Sequence, residues 1–193
     1  MIFDELPRNH FGAIYADPPW HYEVWSEGSS RTASSKYAVM TTAEIAAMPI
    51  LDLAAPDCVL FMWITWPKAR EAWDVLDGWG FIYKTCAFAW LKADVSTIDL
   101  FSDPKQSDML MGSWTRANSE VCLLATRGHP KRLHADVRQG IIEPRREHSR
   151  KPDCVYGRIE RLVAGPYLGL IARTTRPGWT AWGNEVGKFR EVV

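Results

Sequence analysis

The stretch Gly12-Ala13-Ile14-Tyr15-Ala16-Asp17-Pro18-Pro19-Trp20 decides how this chain is read. Five small, apolar or aromatic residues run up to a carboxylate and then meet two prolines, which have no backbone N–H to donate and cannot continue a central strand. The run therefore reads as a buried strand over 12–16 that delivers Asp17 at its C-terminal end. In an open parallel sheet that is where ligands bind, in the crevice outside the carboxyl ends of the strands.

Downstream of this stretch, Trp20 to Lys36 turns polar and small, with Ser26, Gly28, Ser29, Ser30, Ser34 and Ser35, and reads as a mobile loop of the kind that closes over substrates. Thr41-Thr42-Ala43-Glu44 has the spacing of a capping box, so a short helix is expected there, stopping at Pro49. Cys58–Ile64 reads as a second apolar strand. A helix then starts at Trp66-Pro67, with Ala69, Trp73, Leu76 and Trp79 as its apolar positions before Gly80. Residues 81–91 and 120–125 are further strand candidates, separated by an irregular polar excursion around 94–106. Pro152–Val163 places Val155, Ile159, Leu162 and Val163 on one helical face with Arg158 and Arg161 opposite, and 168–172 is the last expected strand. Strands alternating with helices predict an α/β fold, with a mainly parallel sheet and helices on both faces.

At 193 residues with 47% hydrophobic content, the chain has the length for one domain with a real core and is short for two, so a single domain over 1–193 is expected. It has no run of about 18 apolar residues, and Met1-Ile2-Phe3-Asp4-Glu5 lacks the basic start of a secretory signal; a soluble cytoplasmic protein without a membrane partner is predicted. Cys58, Cys86, Cys122 and Cys154 stand far apart without a C-x-x-C pair, which predicts buried reduced thiols. His129, His134 and His148 precede Cys154 at spacings that match no common zinc pattern, so no metal is expected.

Net charge is zero, yet residues 1–126 carry nine Lys/Arg against sixteen Asp/Glu, and residues 127–193 carry fourteen against seven. Arg127 to Lys151 alone holds eight Lys/Arg and three of the five histidines, which suits either an ordinary solvated surface or a loop facing nucleic acid. Gathered cations of this kind suit a polyanion, because phosphate contacts supply much of nucleic-acid affinity through counterion release.

Asp17 offers a carboxylate and Pro18 a carbonyl, and the double proline holds the turn between them rigid. Two acceptors aimed at one amino nitrogen draw electron density onto it and stabilise the positive charge that grows there during attack, with no strong base required. The exocyclic amine of adenine, its lone pair delocalised into the ring, needs this help. Trp20 adds a flat surface on which an extruded base could stack, a contact worth about 1–3 kcal/mol per base. Four such residues also occur in plain turns; their place after a buried strand and before a polar loop gives them weight.

Further motifs appear in order: Tyr37-x-x-Met40, Leu60-Phe61-Met62-Trp63-Ile64-Thr65, Gly112-Ser113-Trp114-Thr115-Arg116, Asn118-Ser119-Glu120, Arg150-Lys151-Pro152-Asp153, Ile159-Glu160-Arg161-Leu162 and Trp182-Gly183-Asn184-Glu185. With Asp17-Pro18-Pro19-Trp20, this set resembles the MT-A-type adenine-N6 methyltransferases over nearly the whole chain. That family includes the catalytic subunit of the eukaryotic messenger-RNA methyltransferase and many bacterial and phage DNA enzymes. Arg150 departs from the histidine that many relatives carry before Lys-Pro-Asp.

The resemblance implies a single-domain Rossmann-like methyltransferase fold using S-adenosyl-L-methionine. It also implies catalysis by Asp17, Pro18, Pro19 and Trp20, with Tyr37 beside Trp20 at the base pocket and Lys151 reaching the substrate or the donor's carboxylate. Arg173, Asn184 and Glu185, together with Asp17 and Lys151, would hold the donor. The expected partner is nucleic acid, DNA favoured over RNA, with a homodimer or a second subunit left open. RNA methylation, cytosine-N4 methylation and a non-catalytic binding subunit of the same fold are the alternatives.

Overall fold

In the computed structural model, which describes residues 3–21, 39–93 and 114–189, the apolar run before the prolines is strand β1 (Phe11–Ala16). The chain continues through α1 (Thr42–Ala46), β2 (Ala54–Ile64), α2 (Ala69–Gly78), β3 (Ile82–Lys92), β4 (Ser119–Arg127), β5 (Gly140–Glu143), α3 (Cys154–Leu162), β6 (Tyr167–Leu170) and β7 (Trp179–Trp182). Most of the polar loop after Trp20, Tyr37 itself and the 94–106 stretch lie outside the described residues.

One seven-stranded sheet has the order β5-β3-β4-β2-β1-β6-β7. Four of its six pairings are parallel, and β4 alone runs against both neighbours. The fold is therefore α/β and mainly parallel, as expected. Among the described residues no helix is long and apolar enough to cross a membrane.

Period-two alternation sorts the central strands onto two cores. Ile14 and Ala16 of β1, with Leu60, Met62 and Ile64 of β2, pack against Ile45 of α1 and Ala72, Val75 and Leu76 of α2. Ala13 and Tyr15, with Val59, Phe61 and Trp63, face Val155, Ile159 and Val163 around α3. Helices thus cover both faces, and the central strands, buried on both sides, read as continuous apolar runs. The α1 capping box is present: the Glu44 backbone N–H donates to Thr41 Oγ1, and the Thr41 N–H donates to the Glu44 carboxylate at 2.7 Å.

Three expectations need correction. Trp73 does not belong to the buried face of α2; it is 45% exposed and leans on the Tyr83 ring at 5.1 Å, because the core stripe runs through Ala72, Val75 and Leu76, about 100° away round the helix. The last expected strand ends two residues early, at Leu170, because Ile171 turns into the left-handed region at φ 58°. Burial of the cysteines is partial. All four are free thiols, with Cys58 and Cys122 buried and Cys86 and Cys154 half-buried; burial pushes the Cys58 thiol up to about 12. Strands β5 and β7 were not foreseen. Both are four-residue edge strands, too short to show a period.

Candidate active site

Asp17 leaves β1 at its carboxyl end, and β6, immediately beside β1, releases Arg173 at the same rim. Arg173 Nη1 donates to Asp17 Oδ2 at 2.7 Å, and Lys151 Nζ lies 2.9 Å from both Asp17 oxygens. The expected pair from the far end of the chain thus converges on Asp17. Arg173 also donates through Nε to Glu185 at 2.8 Å, and Lys188 pairs with the other Glu185 oxygen.

The network continues in the other direction through residues to which sequence reasoning assigned no role. Lys151 approaches Glu120 Oε2 at 3.3 Å, and Glu120 Oε1 accepts from Lys92. Glu120 reaches the rim because β4 is antiparallel, so its first residues lie beside the last residues of β3 and β2. The available signal was a lone charge at each end of an apolar strand run. Burial pushes the Glu120 carboxyl up, but Lys151 and Lys92 outweigh it and hold the group below its usual range. Burial likewise opposes the charge on Lys151, and the Asp17 and Glu120 carboxylates more than restore it, raising its pKa above the ordinary lysine value. At Glu185, burial is again outweighed, by Lys188 and Arg173, and the carboxyl is held low. Positive and negative groups alternate along the rim: Lys92, Glu120, Lys151, Asp17, Arg173, Glu185, Lys188.

The double proline folds the chain back tightly. The Trp20 N–H donates to Pro18 O at 2.9 Å, and the Met40 N–H donates to Pro19 O at 2.9 Å, clamping the turn to the segment before α1. The Pro19 carbonyl points at that clamp. Pro18 O holds one bond and keeps a second lone pair. Trp20 is only 3% exposed; its indole donates to Trp63 O at 3.2 Å, so its ring forms part of a wall and not an open platform. Trp63 in turn donates to the Tyr15 hydroxyl at 2.7 Å and carries the Lys151 ammonium 5.6 Å above its ring.

Two cavities flank the Asp-Pro-Pro turn. One, of about 210 Å³, is lined by Asp17, Pro18, Trp20, Trp63, Lys92 and Glu120, with Arg145 and His148 among its remaining lining. The other, of about 340 Å³, is mostly apolar, with Pro19, Met40, Met48, Ile171 and Trp182 as walls and Asn184 and Glu185 as polar groups. Arg173 borders both. Asp17, Trp20 and Lys151 thus line the smaller cavity, Asn184 and Glu185 line the larger, and Arg173 stands between the two. Among the described residues no group of three or more His, Cys, Asp or Glu side chains is placed to hold a metal ion.

A sequence profile of the MT-A70 family matches residues 11–185, from the first residue of β1 to Glu185. The chain belongs to the MT-A70 family. This MT-A70 protein is 32% identical over 204 residues to the Type II methyltransferase M.MunI of Mycoplasma sp, covering 96% of the chain and 82% of that protein. It is 28% identical over 195 residues to the human N(6)-adenine-specific methyltransferase METTL4, covering 96% of the chain and 39% of METTL4. It is also 28% identical over 185 residues to the human N(6)-adenosine-methyltransferase catalytic subunit METTL3, covering 91% of the chain and 28% of METTL3. The matched span includes both cavities and every described member of the rim network except Lys188.

Proposed function

We propose that this protein transfers a methyl group from S-adenosyl-L-methionine to the N6 amino group of adenine in DNA. The observation that carries the reading is the Asp17 carboxylate, which lines the smaller cavity and is fixed between Lys151 and Arg173, the residue that borders both cavities, in a chain of the MT-A70 family. The larger cavity fits the donor: its Met, Ile and Trp walls suit a flat nucleoside, and Asn184 and Glu185 offer the few polar groups such pockets use to fix orientation. Bound there, S-adenosyl-L-methionine would supply an electrophilic sulfonium methyl group.

The chain's own residues provide positioning and electrostatics. Asp17 and the remaining lone pair of Pro18 O accept the two hydrogens of the amine, and the carboxylate stabilises positive charge growing on nitrogen. Lys151 and Arg173 hold Asp17 in one orientation, so the acceptor does not reorganise as the reaction proceeds. Trp20 and Trp63 shape the wall beside the base, Tyr37 is a further base-binding residue in this reading, and Arg173, Asn184 and Glu185 hold the donor, with Lys151 reaching its carboxylate from beside Asp17. DNA is favoured because the relative whose length this chain nearly fills is a Type II methyltransferase.

Labelled donor incubated with adenine-containing duplex DNA, single-stranded DNA and RNA of the same sequence, followed by nucleoside analysis, tests this. N6-methyladenine from DNA is expected. Folded, donor-binding protein that yields only N4-methylcytosine, methylates only RNA, or transfers nothing overturns the reading.

A further inference from the structure

Residues 127–162 carry ten Lys/Arg against five Asp/Glu, whereas the remaining 157 residues carry thirteen against eighteen. A molecule of zero net charge is thus split into a cationic flank, built from β5, α3 and the segments around them, and an anionic remainder. Six of the ten cations serve the fold or the rim. Arg127 and Arg158 donate to backbone carbonyls, and Arg146, Arg150, Lys151 and Arg161 are ion-paired. The other four, Lys131, Arg132, Arg138 and Arg145, are exposed and make no ion pair with any described residue.

The path of the backbone sets these four in order along α3. Beside Arg132, the Leu133 N–H donates to Leu162 O at the last turn of the helix. Arg138 O accepts from Arg158 at 2.8 Å, near the helix middle. Next to Arg145, Arg146 pairs with Asp153 just before the first turn. The segment thus runs antiparallel to α3 and places cations near its end, middle and start, the last of them, Arg145, lining the cavity that holds Asp17. A nine-residue helix is about 14 Å long at 1.5 Å per residue. That length matches roughly four base pairs of rise along the axis of a DNA duplex, at about 3.4 Å each.

We infer that Lys131, Arg132, Arg138 and Arg145 form a backbone track for duplex DNA, gripping successive phosphates of one strand and leading it along α3 to the Asp17 cavity. The inference rests on the nucleic-acid reading above and adds where the duplex lies. These four cations carry no sequence information; they set position and register while the cavity takes the base. Arg146, Arg150, Lys151 and Arg161 are neutralised by ion pairs, and Arg127 and Arg158 are held on backbone carbonyls, which leaves these four side chains to reach out to phosphates.

The test is the salt dependence of binding by the intact protein to a fluorescent duplex, read by anisotropy for wild type, Arg132→Gln, Arg138→Gln, Arg145→Gln and the triple variant. Each single substitution should flatten the plot of log K against log salt by about 0.9. The triple variant should flatten it by roughly three times as much. Thermal midpoints should stay at the wild-type value. Lys84→Gln, an exposed cation on β3 outside the flank, should leave the slope unchanged. Wild-type slopes in the track variants, an equal effect from Lys84→Gln, or no duplex binding by wild type would each overturn the track. Binding with the expected slopes but without methyl transfer would instead remove the catalytic reading and keep the track.

Discussion

Glu120 is the member of the rim whose removal has the most readable consequence. It sits between two ammonium groups, Lys92 and Lys151, with side-chain exposures of 6% for Lys92, 16% for Glu120 and 14% for Lys151. Glu120→Ala leaves both cations in place without their shared carboxylate. Removing one partner of a buried pair costs about 3–5 kcal/mol because the other charge is left uncompensated. Lys151 keeps Asp17 and Lys92 keeps the Trp90 face at 5.0 Å, so the lower end, about 3 kcal/mol, is expected. For a domain of this size that is roughly 6–12 °C in thermal midpoint. Glu120→Gln should lose less than Glu120→Ala, since it fills the same space and its carbonyl still accepts from one lysine.

Wild type and Glu120→Gln also separate by pH. The folded-state pKa of Glu120 is depressed, so its contribution is fully present above the unfolded-state value, about 4.3, and is lost as pH falls through the lower folded value. Urea unfolding followed by tryptophan fluorescence should therefore show a gap between wild type and Glu120→Gln that holds from pH 7 to about pH 5 and narrows below about pH 4. A gap that stays constant down to pH 3, or a Glu120→Ala variant as stable as wild type at pH 7, would refute the account of the network.

Asp17→Asn, which keeps the shape between Lys151 and Arg173, should lower methyl transfer on the order of 10²–10³-fold while retaining donor binding by calorimetry; Asp17→Ala should in addition lower the urea midpoint, since it leaves two cations facing an empty position. Tyr15→Phe removes the acceptor of the buried Trp63 indole N–H and should cost about 1–3 kcal/mol in chemical denaturation. Thr41→Ala breaks the capping box of α1 and should cost about 0.5–2 kcal/mol, with Thr41→Ser restoring most of it in the same measurement.

The parts of the fold that were legible beforehand are those with strong local chemistry. The apolar run ending in two prolines marks β1, Thr41 and Glu44 mark α1, and the Val155–Ile159 spacing marks α3. Trp73 was misread because a large apolar ring fits a helical period on either side of the true stripe; only contact with α1 decides which side is buried. The edge strands β5 and β7 exist because β3 and β6 offer open backbone groups to pair with, a tertiary cause without a local signature. Asp17, Lys151 and Glu120 stand in ordered motifs, and Arg173 directly follows the last expected strand. Glu120 and Lys92 acquire their place from the antiparallel direction of β4, a choice of strand order that residue types do not announce.

The pairing of β1 with β6 has a consequence for biosynthesis. Ile14 lies opposite Leu168, so one edge of β1 has to wait for residues made much later. At 5–20 residues per second the delay is on the order of 8–30 s. Throughout that interval an apolar strand ending in the Asp-Pro-Pro turn presents an open edge, the kind of surface that recruits foreign strands. Nascent chains stalled before β6 are expected to aggregate more readily than released full-length chains, which a pelleting assay on stalled translation products would check.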